Sequence, residues 1–322
     1  MPPTVSVVII TYNKADTIAA AIESVLRQTY SDFEILVVDD GSTDATEERV
    51  KPFLGNRVEY VRKENGGTGS ARNLGISLAR GCFIAFLDGD DLWLPRKLEV
   101  QMESFRREPE VLAVQCSVYC VDDRLDLLEE RICGPERDQL LNFLLFKNLP
   151  GFSSAVVVRK EAFDRIGGFG TDLVILSDWD MACRLALAGT LRSVPELLVL
   201  YRHYPGNQSR NVEIHIDSGI RSLTRFFSNP ALKPRIRFWK GRVWAQFYAM
   251  LAGGYVRNRE WAKAIPWVVK ALAASPVVIP YIAGMPLRRI RRTFRVRSSR
   301  SFLEQFPYAL SRNQDHERVV CT

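Results

Sequence analysis

Cys82-Phe83-Ile84-Ala85-Phe86-Leu87-Asp88-Gly89-Asp90-Asp91 is an apolar run that ends in a turn of three carboxylates around one glycine. Six apolar residues in a row suit a strand buried on both faces, and the glycine lets backbone turn and come close to a ligand. Upstream, further short β-branched runs alternate with helical patterns. Strands are expected at Val5 to Ile10, Phe33 to Val38 and Val58 to Val61. Between Asp16 and Arg27 the apolar residues Ile18, Ile22, Val25 and Leu26 mark one helix face, and Asn65-Gly66-Gly67-Thr68-Gly69-Ser70 leads into a helix from about Ala71 to Arg80. This alternation predicts an α/β fold with a mostly parallel central sheet flanked by helices. In such sheets ligands sit outside the carboxyl ends of the strands, so Asp39, Asp40, Asp88, Asp90 and Asp91 are expected to converge on one crevice.

Downstream, a polar helix runs from beyond Pro95 to about Arg107, and strands are suggested at Val111 to Tyr119, Ala155 to Arg159 and Leu197 to Tyr201. Asp178-Trp179-Asp180 starts a helix with Met181, Leu185 and Leu187 toward the core and Gly189 at its end. After about Pro205 the pattern is helical only, which divides the chain into an α/β domain at 1–210 and an all-helical extension at 211–322. In the extension, Arg235 to Met250 and Trp261 to Ala274 read as a helical pair separated by Gly253-Gly254 and Asn258.

The chain has 322 residues and a formal net charge of +7, and residues 288–300 alone hold seven arginines with no acidic residue. That concentration argues against a nucleic-acid surface spread over the body and for a local basic segment that meets an anionic partner; a solvated tail is the competing reading. Residues 271–287 carry no charge but are interrupted by Pro276, Pro280 and Pro286, so a spanning helix is not expected. An interfacial segment over 271–300 is one expectation, and packing against the helical pair is the other. Six cysteines without CxxC spacing read as reduced structural thiols. Met1-Pro2-Pro3-Thr4 runs into the first strand with no basic n-region, so the expected location is the cytoplasm, with peripheral attachment at the inner face of the plasma membrane. The sequon Asn207-Gln208-Ser209 should then be inert.

Transferring a sugar from a nucleoside diphosphate leaves a diphosphate whose growing charge needs a divalent cation. Mg2+ and Mn2+ favour carboxylate oxygens, and Asp88 and Asp90, separated by Gly89, offer a rigid seat. Alone, this short motif is also explained by a capping turn. The site reading comes from its neighbours: Thr11-Tyr12-Asn13 ends the first strand and Asp40 the second, giving a ring for a base to stack on and a carboxylate for the imino N–H of uracil, thymine or guanine. Arg72 is read at the start of a helix behind the glycine-rich loop, where guanidinium and helix amides could meet phosphate together. Asp178 or Asp180 could take the proton of an acceptor hydroxyl, and the residues by themselves leave that choice open.

Five stretches together resemble the inverting glycosyltransferases of family 2, over roughly residues 4–210. They are Val5 to Asn13, Val37 to Asp44, Ala71 to Gly75, Phe86 to Asp91, and Ser177 to Asp180. The resemblance implies a GT-A fold, nucleoside binding by Thr11, Tyr12 and Asp40, Arg72 near base and diphosphate, a metal motif at Asp88 and Asp90 with Asp90 the direct ligand, and Asp178 as catalytic base. The implied partners are a nucleotide-sugar donor, UDP before dTDP or GDP, and a saccharide or glycolipid acceptor in cell-surface polysaccharide or glycolipid synthesis. This sequence departs from the family pattern at Ser177, where a glutamate is usual, and at Tyr204, where Tyr201-Arg202-His203-Tyr204 replaces Tyr-Arg-x-His. Two other readings are a non-catalytic nucleotide-sugar-binding membrane scaffold and a sugar-phosphate nucleotidylyltransferase, although the glycine-rich start typical of the latter is absent.

Overall fold

The computed structural model describes residues 2–283 apart from 56, 135–138, 148, 150, 204–211 and 231. The basic run at 288–300, the sequon, Tyr204 and Cys321 lie outside the described residues. Among the described residues nine strands form one sheet: β1 Val5–Thr11, β2 Phe33–Asp39, β3 Val58–Arg62, β4 Phe83–Asp88, β5 Leu92–Trp93, β6 Ala113–Val121, β7 Leu127–Arg131, β8 Val156–Arg159 and β9 Leu191–Arg202. Through the α/β part run helices α1 Ile18–Leu26, α2 Thr46–Val50, α3 Gly67–Leu78, α4 Lys97–Arg107, α5 Gln139–Leu144, α6 Phe152–Ala155, α7 Lys160–Ile166 and α8 Ser177–Ala188. Beyond it are α9 Val212–Ser228, α10 Pro234–Phe238, α11 Lys240–Arg257, α12 Trp261–Ala274 and α13 Ile279–Ala283.

The sheet order is β3-β2-β1-β4-β8-β6-β9-β5, with β7 paired to β6. The first four strands in that order are mutually parallel. Beyond β4 the sheet is mixed, because β8 runs antiparallel to both β4 and β6, β5 antiparallel to β9, and β7 antiparallel to β6, while β6 and β9 are parallel. The chain leaves β1 for β2 and β3 and returns to β4 on the other side of β1. Neighbouring connections therefore depart in opposite directions between β1 and β4, which opens a crevice at their carboxyl ends.

All residues of β1 and β2 are buried, as expected of parallel strands covered on both faces. Their alternate side chains fall into two cores. Val7, Ile9, Ile35 and Val37 join Ile18, Ile22 and Val25 of α1 and Leu98, Met102 and Phe105 of α4. Val8, Ile10, Leu36 and Val38 join Ala71 of α3 and Trp179, Met181 and Leu185 of α8. Each such side chain contributes about 1.5–3 kcal/mol by leaving water, which fixes the register of every strand and thus the residue at its end.

The helices beyond residue 211 share the second core: Leu223, Phe226 and Phe227 of α9 and Val243, Phe247 and Leu251 of α11 belong to the cluster that holds Trp179. Phe146 links the two parts, stacking on Trp179 at 4.9 Å and on Phe247 at 5.8 Å between ring centroids. Gly253-Gly254 does not separate the helical pair as expected. Both residues lie inside α11, where Gly254 makes room for Val212, whose methyl would stand 2.7 Å from an added Cβ. The break comes at the other expected separator, Asn258, with Asn258–Glu260 lying between α11 and α12. Cys116, Cys120, Cys133 and Cys183 are buried and reduced, and Cys82 is exposed and reduced.

Candidate active site

Register places the predicted residues at one sheet edge. Thr11 lies beside Asp39, Ile10 beside Asp88, and Asp39 beside Arg62. The Gly89 amide donates to the Ile10 carbonyl at 2.9 Å, and the Gly89 carbonyl accepts from the Thr17 hydroxyl at 2.8 Å. A Cβ at Gly89 would stand 3.1 Å from the Ile10 carbonyl oxygen and 3.2 Å from Thr11 Cβ, so the acidic turn packs tightly over the end of β1. Tyr12 projects with 46% of its surface exposed, and Thr11 is buried with its hydroxyl unpartnered. Asn13 adopts the left-handed conformation (φ 51°), its amide donating to Ser42 Oγ and its side-chain oxygen accepting from the Thr43 amide, which ties the end of β1 to the turn after β2.

The two carboxylates at the end of β2 have different surroundings. Asp39 is fully buried, accepting from the Ser42 amide at 2.8 Å and the Tyr60 hydroxyl at 2.6 Å, so it holds the turn together. Asp40 accepts from Lys63 Nζ at 2.7 Å and from the amides of Gly66 and Gly67 at 3.0 and 2.8 Å. It thereby sits at the N-terminus of α3, where amide dipoles favour an anion.

Arg72 requires a correction. The helix begins at Gly67, so Arg72 is more than one turn inside α3 rather than at its start, and the terminal amides point to Asp40 rather than joining the guanidinium. Arg72 is 4% exposed; Nη2 donates to Asp88 Oδ1 at 2.8 Å, Nη1 to Ser177 Oγ at 3.4 Å, and the guanidinium lies 5.2 Å from the Phe169 ring centroid. It therefore couples the acidic turn to the start of α8. In sequence a loop and a helix start rich in glycine look alike; the difference lies in packing, because α3 passes so close to Gly170 that only a bare Cα fits at Gly69.

The acidic turn holds three different carboxylates. Asp88 retains 28% side-chain exposure, and burial pushes its carboxyl above the usual range, opposed by Arg72 and reinforced by the charges of Asp90 and Asp178. Asp90 faces the crevice with 17% exposure and an ion pair to Lys14 Nζ at 2.7 Å. Asp91 is buried, accepts from Ser154 Oγ at 2.5 Å and the Arg202 amide at 2.8 Å, and is pushed far up by burial and by Asp90 and Asp88. It anchors the turn to β9.

The open choice at α8 also acquires geometry. Asp180 is buried and paired with Arg184 Nη2 at 2.7 Å, whereas Asp178 is half-buried, its Oδ1 accepting from the Trp179 amide, and its charge acts on Asp88. Leu176, just before α8, is held in the left-handed region (φ 65°), a conformation that costs a non-glycine residue about 1 kcal/mol or more. With Asn13, this makes two of the strained residues neighbours of the crevice. Lys14, Lys63 and Ser154 also belong here and were not singled out from sequence, as do Tyr201 and Arg202, which entered there only through the Tyr-Arg-x-His comparison. Tyr201 keeps its phenolic proton, because burial and the charges of Asp91, Asp88 and Asp178 all oppose its ionisation. Of Lys14, Lys63 and Ser154, only Lys14, which follows Thr11-Tyr12-Asn13 directly, carried a local signal.

Hard oxygen donors at Asp88 and Asp90, each paired with one cation (Arg72 and Lys14) while Asp178 adds a further negative charge, suit a divalent cation. Among the described residues no three His, Cys, Asp or Glu side chains form a ready-made metal cage, so further ligands would have to come from a diphosphate or water.

Residues 6–167, about half the chain, match the family model for glycosyl transferase family 2. The chain belongs to that family. An uncharacterized glycosyltransferase of Rickettsia typhi is 29% identical over 274 residues, covering 82% of this chain and 85% of the relative. A shorter match, 46% over 99 residues, covers 30% of this chain and 39% of the Escherichia coli UDP-Glc:alpha-D-GlcNAc-diphosphoundecaprenol beta-1,3-glucosyltransferase WfgD. Among solved structures, residues 1-349 of Staphylococcus aureus TarS in complex with UDP-GlcNAc superpose with a TM-score of 0.61 at 18% identity, over 91% of this chain and 89% of that one. The Pyrobaculum calidifontis mannosyltransferase PcManGT, in complex with GDP-Man and Mn2+, gives a TM-score of 0.57 at 19% identity, over 96% and 86%. These likenesses establish the GT-A fold for this family 2 glycosyltransferase.

Proposed function

We propose that this glycosyltransferase moves a sugar from a nucleoside-diphosphate sugar to an acceptor hydroxyl with inversion, in the synthesis of a cell-surface polysaccharide or glycolipid. UDP is the favoured carrier, with dTDP and GDP behind it. The observation that carries this reading is the convergence of Asp88, Asp90 and Asp178 in one crevice, with Tyr12 exposed at its rim. WfgD's name specifies a UDP-glucose donor and a lipid-linked acceptor, and TarS holds UDP-GlcNAc, which supports the same chemistry here.

Tyr12 stacks on the base, and Asp40 reads its imino N–H. A carboxylate has about four acceptor sites and Asp40 uses three, so one remains; at 4% exposure, reaching it requires the Lys63 side of the loop to give way. Asp88 and Asp90 would hold Mn2+ or Mg2+, which supplies charge neutralisation at the diphosphate as the sugar departs. Lys14 stands where it can add a second positive charge to the same oxygens. Asp178 takes the proton from the acceptor hydroxyl, and Asp180 serves α8 through Arg184. Peripheral attachment to an anionic membrane would keep the enzyme close to a lipid-linked acceptor.

The test is a panel of UDP, dTDP and GDP sugars assayed for binding and for metal-stimulated transfer or hydrolysis. Asp178→Asn should retain donor binding and lose at least about a hundredfold in turnover, as expected for a general base. Turnover by Asp178→Asn at the wild-type rate sinks the assignment, as does full metal stimulation in Asp90→Ala.

A further inference from the structure

Helix α12 has apolar residues on both of its sides. Its inner side, with Ala264 and Ala271, is buried, and Trp267 packs on Tyr248 at 5.7 Å between ring centroids. A helix covering a core should then show polar residues to water. Instead Trp261, Ile265, Val269 and Leu272 are 59, 63, 60 and 40% exposed. At about 100° per residue these four fall within an arc of about 80°, and exposed Ala262, Pro266 and Ala273 widen it without adding a polar atom. The surface continues past the helix through Val277 and Ile279, 61 and 53% exposed. Among the described residues nothing covers it.

Charge decides what does. Lys263 and Lys270 line one edge of the apolar arc, and α12 contains no acidic residue. At the far end of the helix, the start of α11 abuts it, since a Cβ at Gly241 would stand 2.9 Å from the Ala274 carbonyl oxygen. The stretch leading there, Lys233-Pro234-Arg235-Ile236-Arg237-Phe238-Trp239-Lys240-Gly241-Arg242, holds five basic residues and no acidic one, with Phe238 88% exposed in its midst. Over residues 233–283 nine Lys and Arg stand against a single acid, Glu260. A second copy of this surface would bring like charge against like, and the chain that follows carries seven arginines over 288–300, so neither complements it. An anionic phospholipid surface does, accepting tryptophan and aliphatic side chains at the headgroup boundary while lysines reach the phosphates.

We infer that the exposed face of α12, continued by Val277 and Ile279 and flanked by the basic 233–242 stretch, docks flat on an anionic bilayer. This rests on the peripheral-membrane part of the proposed function and assigns it to a folded helix face rather than to the arginine run alone. Lys263 pairs with Glu260 and Lys270 lies over Trp267, away from the crevice side chains, so docking and sugar transfer can be tested separately.

Full-length protein is sedimented with vesicles of phosphatidylglycerol and phosphatidylcholine in equal parts, and with phosphatidylcholine alone. The wild type should bind the anionic vesicles, release at high salt, and leave phosphatidylcholine largely unbound. Ile265→Ser combined with Val269→Ser should weaken binding at least about tenfold, and Lys263→Ala combined with Lys270→Ala on the order of fivefold per lysine. Both variants should keep the wild-type circular dichroism and turnover of soluble donor, which separates failure of docking from failure of the active-site reading. Undiminished binding by the serine variant overturns the inference, and if replacing the arginines of 288–300 then abolishes binding, the attachment belongs to that segment alone. A wild type that ignores anionic vesicles also overturns it, as does a concentration-dependent dimer that the serine variant dissociates.

Discussion

Replacing Arg72 by leucine tests how the crevice is held together. The Arg72 side chain is 5% exposed, and its guanidinium bridges Asp88 on β4 to Ser177 at the start of α8, over the ring of Phe169. Deleting one partner of a buried ion pair costs about 3–5 kcal/mol, because the remaining charge is stranded. Here Asp88 keeps 28% exposure, so water replaces part of the lost donor, and a net loss of about 2–3 kcal/mol is expected. At about 2–4 °C per kcal/mol for a domain of this order, melting should fall by roughly 5–10 °C. The same change has a signature in activity. Burial and the charges of Asp90 and Asp178 already raise the Asp88 carboxyl, and Arg72 is the first influence opposing them. Without it Asp88 protonates at higher pH, so the acid limb of transfer should move upward. Arg72→Lys should restore the limb more fully than the stability, since it returns the charge but not the two-point bridge. Calorimetry and a pH profile of donor turnover measure both. A leucine variant that melts within about 0.5 kcal/mol of wild type, or whose acid limb stays in place, would show that Arg72 neither supports nor tunes the acidic turn.

Two further outcomes concern the frame around the site. Lys97 is fully buried, donates to Gln101 Oε1 at 2.7 Å and lies 3.8 Å from the Trp93 ring centroid, and burial lowers its ammonium to about 8. An unfolded lysine keeps its proton to about pH 10.4, so between about pH 8 and 10 the unfolded chain binds more protons and stability should rise with pH, by about 3 kcal/mol at most. Urea denaturation at about pH 7 and about pH 9.5 should show this rise in the wild type and not in Lys97→Met; equal slopes in both would remove Lys97 as its source. Gly219→Ala places a methyl 2.2 Å from the Phe247 ring and should cost about 1–3 kcal/mol, largely recovered by Phe247→Leu in the same chain. An alanine variant as stable as wild type would mean that α9 and α11 are not packed through this contact.

What the sequence determined by itself is the part governed by short-range periodicity. The runs at β1, β2 and β4 are continuous and apolar because both sheet faces are covered, and each ends in a polar turn, so strands, parallel pairing and the convergence of Thr11, Asp40 and Asp88 could be read from residue order alone. Asp90 and Asp178 were legible as carboxylates at a strand end and a helix start. The short pieces β5, β7, α5 and α6 were not, since two to six residues carry too little periodicity to register against their neighbours. Nor could sequence show that the sheet turns mixed beyond β4, because direction depends on partners far along the chain. Glycine proved ambiguous for a related reason: at Gly69 and Gly254 its meaning lies in what approaches the missing side chain, Gly170 and Val212, which only packing reveals. The individual state of each acid was likewise decided in three dimensions. Asp39 and Asp40 are adjacent, as are Asp90 and Asp91, yet one of each pair is locked into a turn and the other meets a lysine at the crevice. Neighbouring side chains at a strand end point to opposite sides, and burial and partners on each side set their charge.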